Sequence, residues 1–384
     1  MNHKQFVKQV KHMNSGTFST IPLSHKKLNS YIAITKAMGM LFGGESGSGK
    51  TAMVDSTFVF DIFDHYIKQD ADKKTFVPYW IYRSMERPEF YKRAKWTCLK
   101  LWKDYQILID VPTLLNFSSR QFEMSDEVMQ IISSDIFSHY FDELNEHLTL
   151  YSRSATTGDI YKDTLKLVNQ HGRLVKKMDE QGVERTEYVY NDDKVHFIHV
   201  TDHLGKLLRT TGQKSDKEKI DSYSRMMSNI FRDLYQGIYI DVSQLNRNIR
   251  SMDRLKLTDL DVKSDDFKES SEPYENADIV FGMLNPYKLG MEMYPMDNGY
   301  DISKTIDTKG RARFRSIKIL KNSYGADDIR LAYRFLGENG HITELPKADQ
   351  MNNNPSTGRV DGAFTWWDRT TLKGYNIDSK YRKS

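Results

Sequence analysis

Lys50 and Thr51 lie near the end of a ten-residue run, "GGESGSGKTA" at 43–52, whose spacing Gly44-x4-Gly49-Lys50-Thr51 suits a nucleoside triphosphate. In that pattern successive backbone N–H groups surround the phosphates, the lysine reaches the outer ones, and the hydroxyl coordinates Mg²⁺. The candidate phosphate-binding residues are Gly44, Glu45, Ser46, Gly47, Ser48, Gly49, Lys50, Thr51 and Ala52, with ATP and Mg²⁺ as the expected cofactors. Hydrolysis needs two further acids, one to hold Mg²⁺ through water and one to orient the attacking water. Asp202 ends the apolar run "VHFIHVTD" and is placed for the first role, so that Thr51 and Asp202 form the expected metal pair. Glu86 follows the β-rich run "FVPYWIY" and is the candidate for the second. Gln244, at the end of "GIYIDVSQ", could sense the terminal phosphate. Each acid would also suit a solvated strand end, and Gln244 an ordinary turn.

The phosphate-loop pattern has meaning only between a strand and a helix. "MGMLFG" before it reads as a short buried strand, and "TAMVDSTFVFDIFDHYI" after it as a helix with an apolar stripe. A helix is expected from Pro88, whose missing N–H would be unpaired at a helix start in any case. The stretch 95–190 is mostly helical in pattern, including "SDEVMQIISSDIFSHYFDELNEHL" and "GDIYKDTLKLVNQHGRLVKKM", with "VERTEYVYNDDK" as a hairpin insertion. "IDSYSRMMSNIFRDLY" reads as a helix, "ADIVFGML" and "RFRSIKILKN" as strands, and "IRLAYRFLGENGHITEL" as a terminal hairpin. This alternation predicts an α/β fold: a mostly parallel central sheet, helices on both faces and a late antiparallel hairpin. The ligand is expected at the carboxyl ends of the strands. A basic leader at 1–30, an ATPase domain at 31–346 and a polar tail at 347–384 carrying Trp366-Trp367 complete the expected organisation.

Composition narrows the classes. A chain of 384 residues with 28% charged residues and a net charge of only +4 fits a mildly basic soluble protein without a strong electrostatic vote for nucleic acid. One cysteine, Cys98, excludes an internal disulfide framework and any cysteine-based zinc cluster, and suits a reducing compartment. No apolar run reaches the roughly eighteen residues of a membrane span. The N-terminus lacks the continuous apolar core of a signal peptide, so the cytoplasm (a host cytoplasm, if the source is a phage) is the expected location.

Taken in order, "GGESGSGKT", "YRSMERPEF", "FIHVTDHLGKLL", "IDVSQLNRNIR", "DDFKESSEPYENADIVFGML" and "IKILKNSYGADDIRLAYRF" resemble the RecA-like motor domain of DnaB-type replicative helicases, with a bacteriophage as the expected source. The resemblance covers roughly residues 15–346, and "SQLNR" followed by "ADIV" is its most specific part. It implies a P-loop ATPase translocating 5′ to 3′ on single-stranded DNA as a hexameric ring, with a primase or loader as partner. Glu86 would be the catalytic carboxylate, Asp202 the Mg²⁺-side acid, and Gln244 the link between nucleotide state and DNA. The loops 209–219 and 247–264 would line the channel. Their Arg209, Lys214, Lys217, Lys219, Arg247, Arg250, Arg254 and Lys256 would meet DNA phosphates.

The chain departs from that pattern in two places. The family completes each site with Lys-x-Arg from a neighbouring subunit, whereas the matching run here is Lys321-Asn322-Ser323. An arginine finger is worth roughly 10³ to 10⁵ in rate, so Arg313, Arg315 or Arg330 would have to substitute if turnover is to be kept. Second, only about 40 residues precede the phosphate loop, too few for the family's N-terminal domain. Those departures favour a non-unwinding RecA-type DNA-binding ATPase, namely a loader, recombination mediator or packaging accessory. The basic loops and the "SQLNR…ADIV" block favour the helicase motor. A nucleotide-dependent assembly protein with negligible turnover is a third reading.

Overall fold

The computed structural model describes residues 20–117, 125–178, 182–246, 260–267, 271–295, 299–307 and 310–349, with isolated positions at 7, 249, 251 and 254. Strand β1 (Met38–Gly44) is wholly buried and forms the centre of a nine-stranded sheet. Its alternate side chains enter two cores: Met38, Met40 and Phe42 face one, and Leu41 the other. Burial on both faces is what an unbroken apolar run in a parallel sheet requires. With β2 (Val77–Ser84), β3 (Leu148–Tyr151), β6 (Val195–Asp202), β7 (Ile238–Gln244) and β8 (Ile279–Leu284), it makes a parallel set in the order β8-β1-β7-β6-β2-β3. Two short strands, β9 (Met293–Tyr294) and β10 (Tyr300–Asp301), pair with each other outside this sheet. Three antiparallel strands, β11 (Phe314–Asn322), β12 (Ile329–Leu336) and β13 (His341–Glu344), extend the edge at β8. The fold is therefore the expected one, and its late antiparallel part is three strands rather than two.

Helix α2 follows the phosphate loop without a break through Lys50–Met53, a π-helical stretch Val54–Asp61, and Ile62–Ile67. Phe58 of this helix meets Phe42 edge to face at 5.4 Å, which ties the helix to the strand that carries the loop. Helix α1 (Lys26–Tyr31) lies ahead of β1 and is tied to the far edge of the sheet: the backbone N–H groups of Lys27 and Leu28 donate to the Glu344 carboxylate at 3.0 and 2.8 Å. Ile21, Leu23 and Leu28 belong to the main core.

Two segments read as single helices divide differently. The first is α5 (Asp126–Ile132) and α6 (Asp135–His147), separated at Ser133 and Ser134, where the Ser134 hydroxyl caps α6 by accepting the Phe137 N–H at 3.3 Å. The chain then forms β3, whose "LTLY" is too short to announce itself by periodicity. The second is α7 (Thr157–His171), followed by β4 (Gly172–Met178), which pairs with β5 (Glu184–Tyr190) as a hairpin. Gly172 makes that pairing possible: a Cβ there would meet the Tyr188 hydroxyl at 2.4 Å and the Val189 carbonyl at 2.5 Å. Helix α3 (Glu89–Tyr105) begins after Pro88 as expected, and α4 (Val111–Leu114) follows it. Helix α8 (Asp216–Met226) continues in π form through Met227–Arg232, and α9 (Glu272–Asn276) precedes β8.

Candidate nucleotide site

The loop leaves β1 at Gly44 and turns back through Gly47 (φ 76°) and Gly49 (φ 99°), left-handed conformations that glycine adopts without strain. Close approach also requires Gly44, since a Cβ there would stand 2.4 Å from Ser48 Oγ and 2.8 Å from the Met283 carbonyl oxygen. Lys50, at the start of α2, is buried and donates to the carbonyl oxygens of Gly44 at 2.5 Å and Glu45 at 3.0 Å. The Ser48 hydroxyl is buried with no partner among the described residues. A glycine-rich loop that brings a lysine and an unpaired hydroxyl to a helix start suits an anion.

Parallel registry delivers the acids. Ser84 of β2 lies opposite Asp202 of β6, and Asp202 opposite Val242 of β7, so these strands end on one level. Gln244 lies opposite Gly44 at the origin of the loop. Thr51 Oγ1 donates to Asp202 Oδ2 at 2.9 Å. Lys50, Thr51, Glu86, Asp202 and Gln244 all border one cavity of about 360 Å³. Among the described residues no cluster of three or more His, Cys, Asp or Glu side chains could hold a metal by itself. A hydroxyl and one buried carboxylate suit Mg²⁺, which keeps several waters and takes its other ligands from substrate phosphates. Thr51 and Asp202 are the residues that would hold it.

Sequence reasoning misses several residues that line the same cavity. Asp55, one helical turn after Thr51, accepts from Lys92 Nζ at 2.8 Å through each oxygen and from the Tyr82 hydroxyl at 2.7 Å. Burial pushes the Asp55 carboxyl up, against the pull of Lys92. The spacing i, i+4 from Thr51 is the available signal; nothing in the sequence marks Lys92 or Tyr82 as its partners. Lys95 donates to the carbonyls of Gly337 and Glu338, each at 2.7 Å, and burial lowers its amine to about 8. Phe335, Asn339 and Gly340 of the β12–β13 hairpin also line the cavity. His203, directly after Asp202, also borders the cavity, and burial lowers its imidazole.

Burial pushes the Lys50 amine down to about 8, while Asp202, Glu86 and Glu45 pull it upward. Bound phosphates would favour the charged form. Nucleotide binding above pH 8 is therefore expected to take up a proton, and affinity to fall as pH rises through that range. Calorimetry in two buffers of different ionisation enthalpy reads the uptake; identical heats would remove Lys50 from the phosphates.

The remaining candidate residues lie apart. β11 runs antiparallel to β8, so Lys321 lies opposite Val280, towards the strand end away from the loop. Its amine donates to the carbonyls of Glu275 at 2.8 Å and Tyr274 at 3.3 Å, at the end of α9. Ser323 N–H donates to the Asp278 carbonyl at 2.9 Å. Arg313 is buried against Asp307 and Glu338, Arg315 donates to the carbonyls of Ala312 and Phe314, and Arg330 is paired with Asp261. Arg209 is held by Asp216 at 3.0 Å, whereas Lys214 and Lys217 are exposed. Lys219 turns inward instead, its amine on the Gly205 carbonyl and Asp216. Arg254 is paired with Asp266 at 2.5 Å, and Arg247, Arg250 and Lys256 lie outside the described residues.

No family model matches the chain, and no curated protein sequence does. Among solved structures it is similar to a DnaB-like replicative helicase, described together with its interactions with primase, at 15% identity and a TM-score of 0.63, over 90% of this chain and 69% of that one. It is also similar to a second solved structure, that of an ATPase domain, at 16% identity and a TM-score of 0.61, over 89% of this chain and 98% of that one. At such identities the likeness is one of fold. The chain has the RecA-like α/β fold of replicative-helicase ATPase domains.

Proposed function

We propose that this chain is an ATP-hydrolysing motor that translocates on single-stranded DNA in replication. The reading rests on one observation above the others. The phosphate loop, a Thr51–Asp202 pair and Glu86 border a single cavity at the carboxyl ends of β1, β6 and β2, in a fold shared with helicase ATPase domains. In this reading Lys50 and the loop amides bind the phosphates, Asp202 and Thr51 hold Mg²⁺, and Glu86 orients the attacking water. Mg²⁺ supplies charge stabilisation at the transferred phosphoryl group. Gln244, bordering the cavity at the end of β7, would report nucleotide state to loops that meet DNA through Arg209, Lys214 and Lys217.

The reading extends to a ring of six copies in the cytoplasm, with residues 31–346 as the motor domain. Lys321 borders no part of its own subunit's cavity, and a neighbour's site is where it would act. A primase is the partner class to test first, because the DnaB-like helicase of similar fold was described with one. A second reading, a DNA-stimulated ATPase that does not unwind, is favoured by Ser323 at the position of the family's arginine and by the pairing of Arg313 and Arg330 with acids.

ATP turnover measured with and without single-stranded DNA, beside unwinding of a forked duplex, decides between them. A motor is expected to show DNA-stimulated turnover together with unwinding. Stimulation without unwinding selects the second reading, and turnover indifferent to DNA rejects both.

A further inference from the structure

His203 is an anomaly within the site. The residue is only 8% exposed, yet neither ring nitrogen has a hydrogen-bond partner among the described residues. An imidazole always carries at least one N–H donor, and in its neutral form one acceptor as well. Leaving such a group unpaired in a protein interior is unfavourable, so an apolar side chain of the same volume would serve packing better. The ring borders the cavity that Lys50, Thr51 and Glu86 also line, and the charges acting on it are Asp202, Glu86, Lys50 and Lys206.

Position within the cavity selects the ligand atom. Phe335 comes within 3.7 Å of the Cβ position of Gly49, against the phosphate loop itself. His203 instead follows Asp202 at the end of β6, close enough to Glu86 and Lys50, the residues assigned to the outer phosphates, to feel their charges. Resting on the nucleoside-triphosphate reading of this cavity, we propose that the His203 imidazole is a direct partner of the terminal phosphate, donating a hydrogen bond to one of its oxygens. A diphosphate cannot supply that oxygen. His203 would then separate the triphosphate-bound from the diphosphate-bound state at the site itself, and would count as a catalytic residue in the sense of touching the group transferred.

The test compares binding of the β,γ-imido analogue of ATP and of ADP, each with Mg²⁺, to the wild-type chain, His203→Phe and His203→Gln. His203→Phe is expected to lose about tenfold in affinity for the imido analogue, the loss of one hydrogen bond to a charged group, with ADP affinity unchanged. His203→Gln, which keeps an N–H donor, is expected to recover part of the loss. Equal losses for both nucleotides, or no loss for either, overturn the proposal. If His203→Phe fails to fold, the imidazole ¹⁵N resonances of the wild-type protein decide: a shift with the imido analogue but not with ADP supports the contact, and no difference overturns it. A wild-type protein that binds neither nucleotide overturns the reading of the cavity, whereas one that binds both while His203 is silent overturns this assignment alone.

Discussion

Lys50→Ala is expected to abolish ATP turnover, with kcat/KM falling on the order of 10³-fold or more, and to leave the nucleotide-free protein as stable as before or slightly more so. The two halves of this expectation come from one observation. The Lys50 amine is buried, and its hydrogen-bond partners among the described residues are the carbonyl oxygens of Gly44 and Glu45. Burial lowers it from the usual lysine range to about 8. A lysine whose folded-state value lies below its unfolded value disfavours folding wherever it is charged, that is, below about pH 8, and the penalty fades as pH rises from there towards the unfolded value. Alanine removes that penalty at neutral pH. In the proposed reading it also removes the cation that would meet the outer phosphates, where charge accumulates during phosphoryl transfer. Thermal unfolding without nucleotide and a turnover assay read the two effects separately. A variant with a strongly lowered melting temperature would mean that Lys50 is a structural clasp for the loop.

Buried polar groups that the fold alone leaves unfavourable recur around the cavity. The Ser48 hydroxyl and the His203 nitrogens are buried without partners among the described residues. Phosphate sites place donors ahead of the ligand that satisfies them, so that little reorganisation is left for binding. Asp55 shows the opposite arrangement. It borders the same space but is closed off by Lys92 and Tyr82, which makes it their partner rather than a free ligand.

The parts of this site that are legible in the sequence are those that depend on short-range pattern. Strands β1 and β8 are continuous apolar runs and β6 and β7 largely apolar ones, because both their faces are covered, and a polar residue at the end of such a run marks the ligand-binding edge of a parallel sheet. Asp202 and Gln244 are accessible by that rule, and the glycines of 43–49 by their spacing. What is hidden depends on residues brought together over long separations. Lys92 reaches Asp55 across 37 positions, and Phe335 and Asn339 arrive from a hairpin at the opposite end of the domain sequence from the loop they face. Charge by itself misleads. Lys219 reads as part of a basic loop, yet its position on α8 turns the amine inward to Gly205 and Asp216. "RLVKKM" reads as the end of a helix but pairs as β4, because tertiary pairing with β5 overrides local preference.

The second large effect is expected at Glu86, and elimination among the carboxylates leads to it. Three border the cavity: Asp55, Glu86 and Asp202. Asp55 is buried beneath Lys92 and Tyr82, and Asp202 is engaged by the Thr51 hydroxyl. Glu86 is exposed, and no hydrogen bond or ion pair with it occurs among the described residues. A group that orients and deprotonates water must have its oxygens available to that water, which of the three only Glu86 satisfies. Glu86→Gln keeps shape and removes the charge, so turnover should fall by about 10² to 10⁴ while affinity for ATP with Mg²⁺ stays within a few-fold. Asp202→Asn should behave differently, weakening the dependence on Mg²⁺ together with turnover, because its carboxylate stands on the Thr51 side. Single-turnover hydrolysis beside equilibrium binding separates the two variants. If Glu86→Gln lowered affinity and rate in parallel, Glu86 would be a nucleotide ligand and the activating base would have to come from outside this subunit's own cavity.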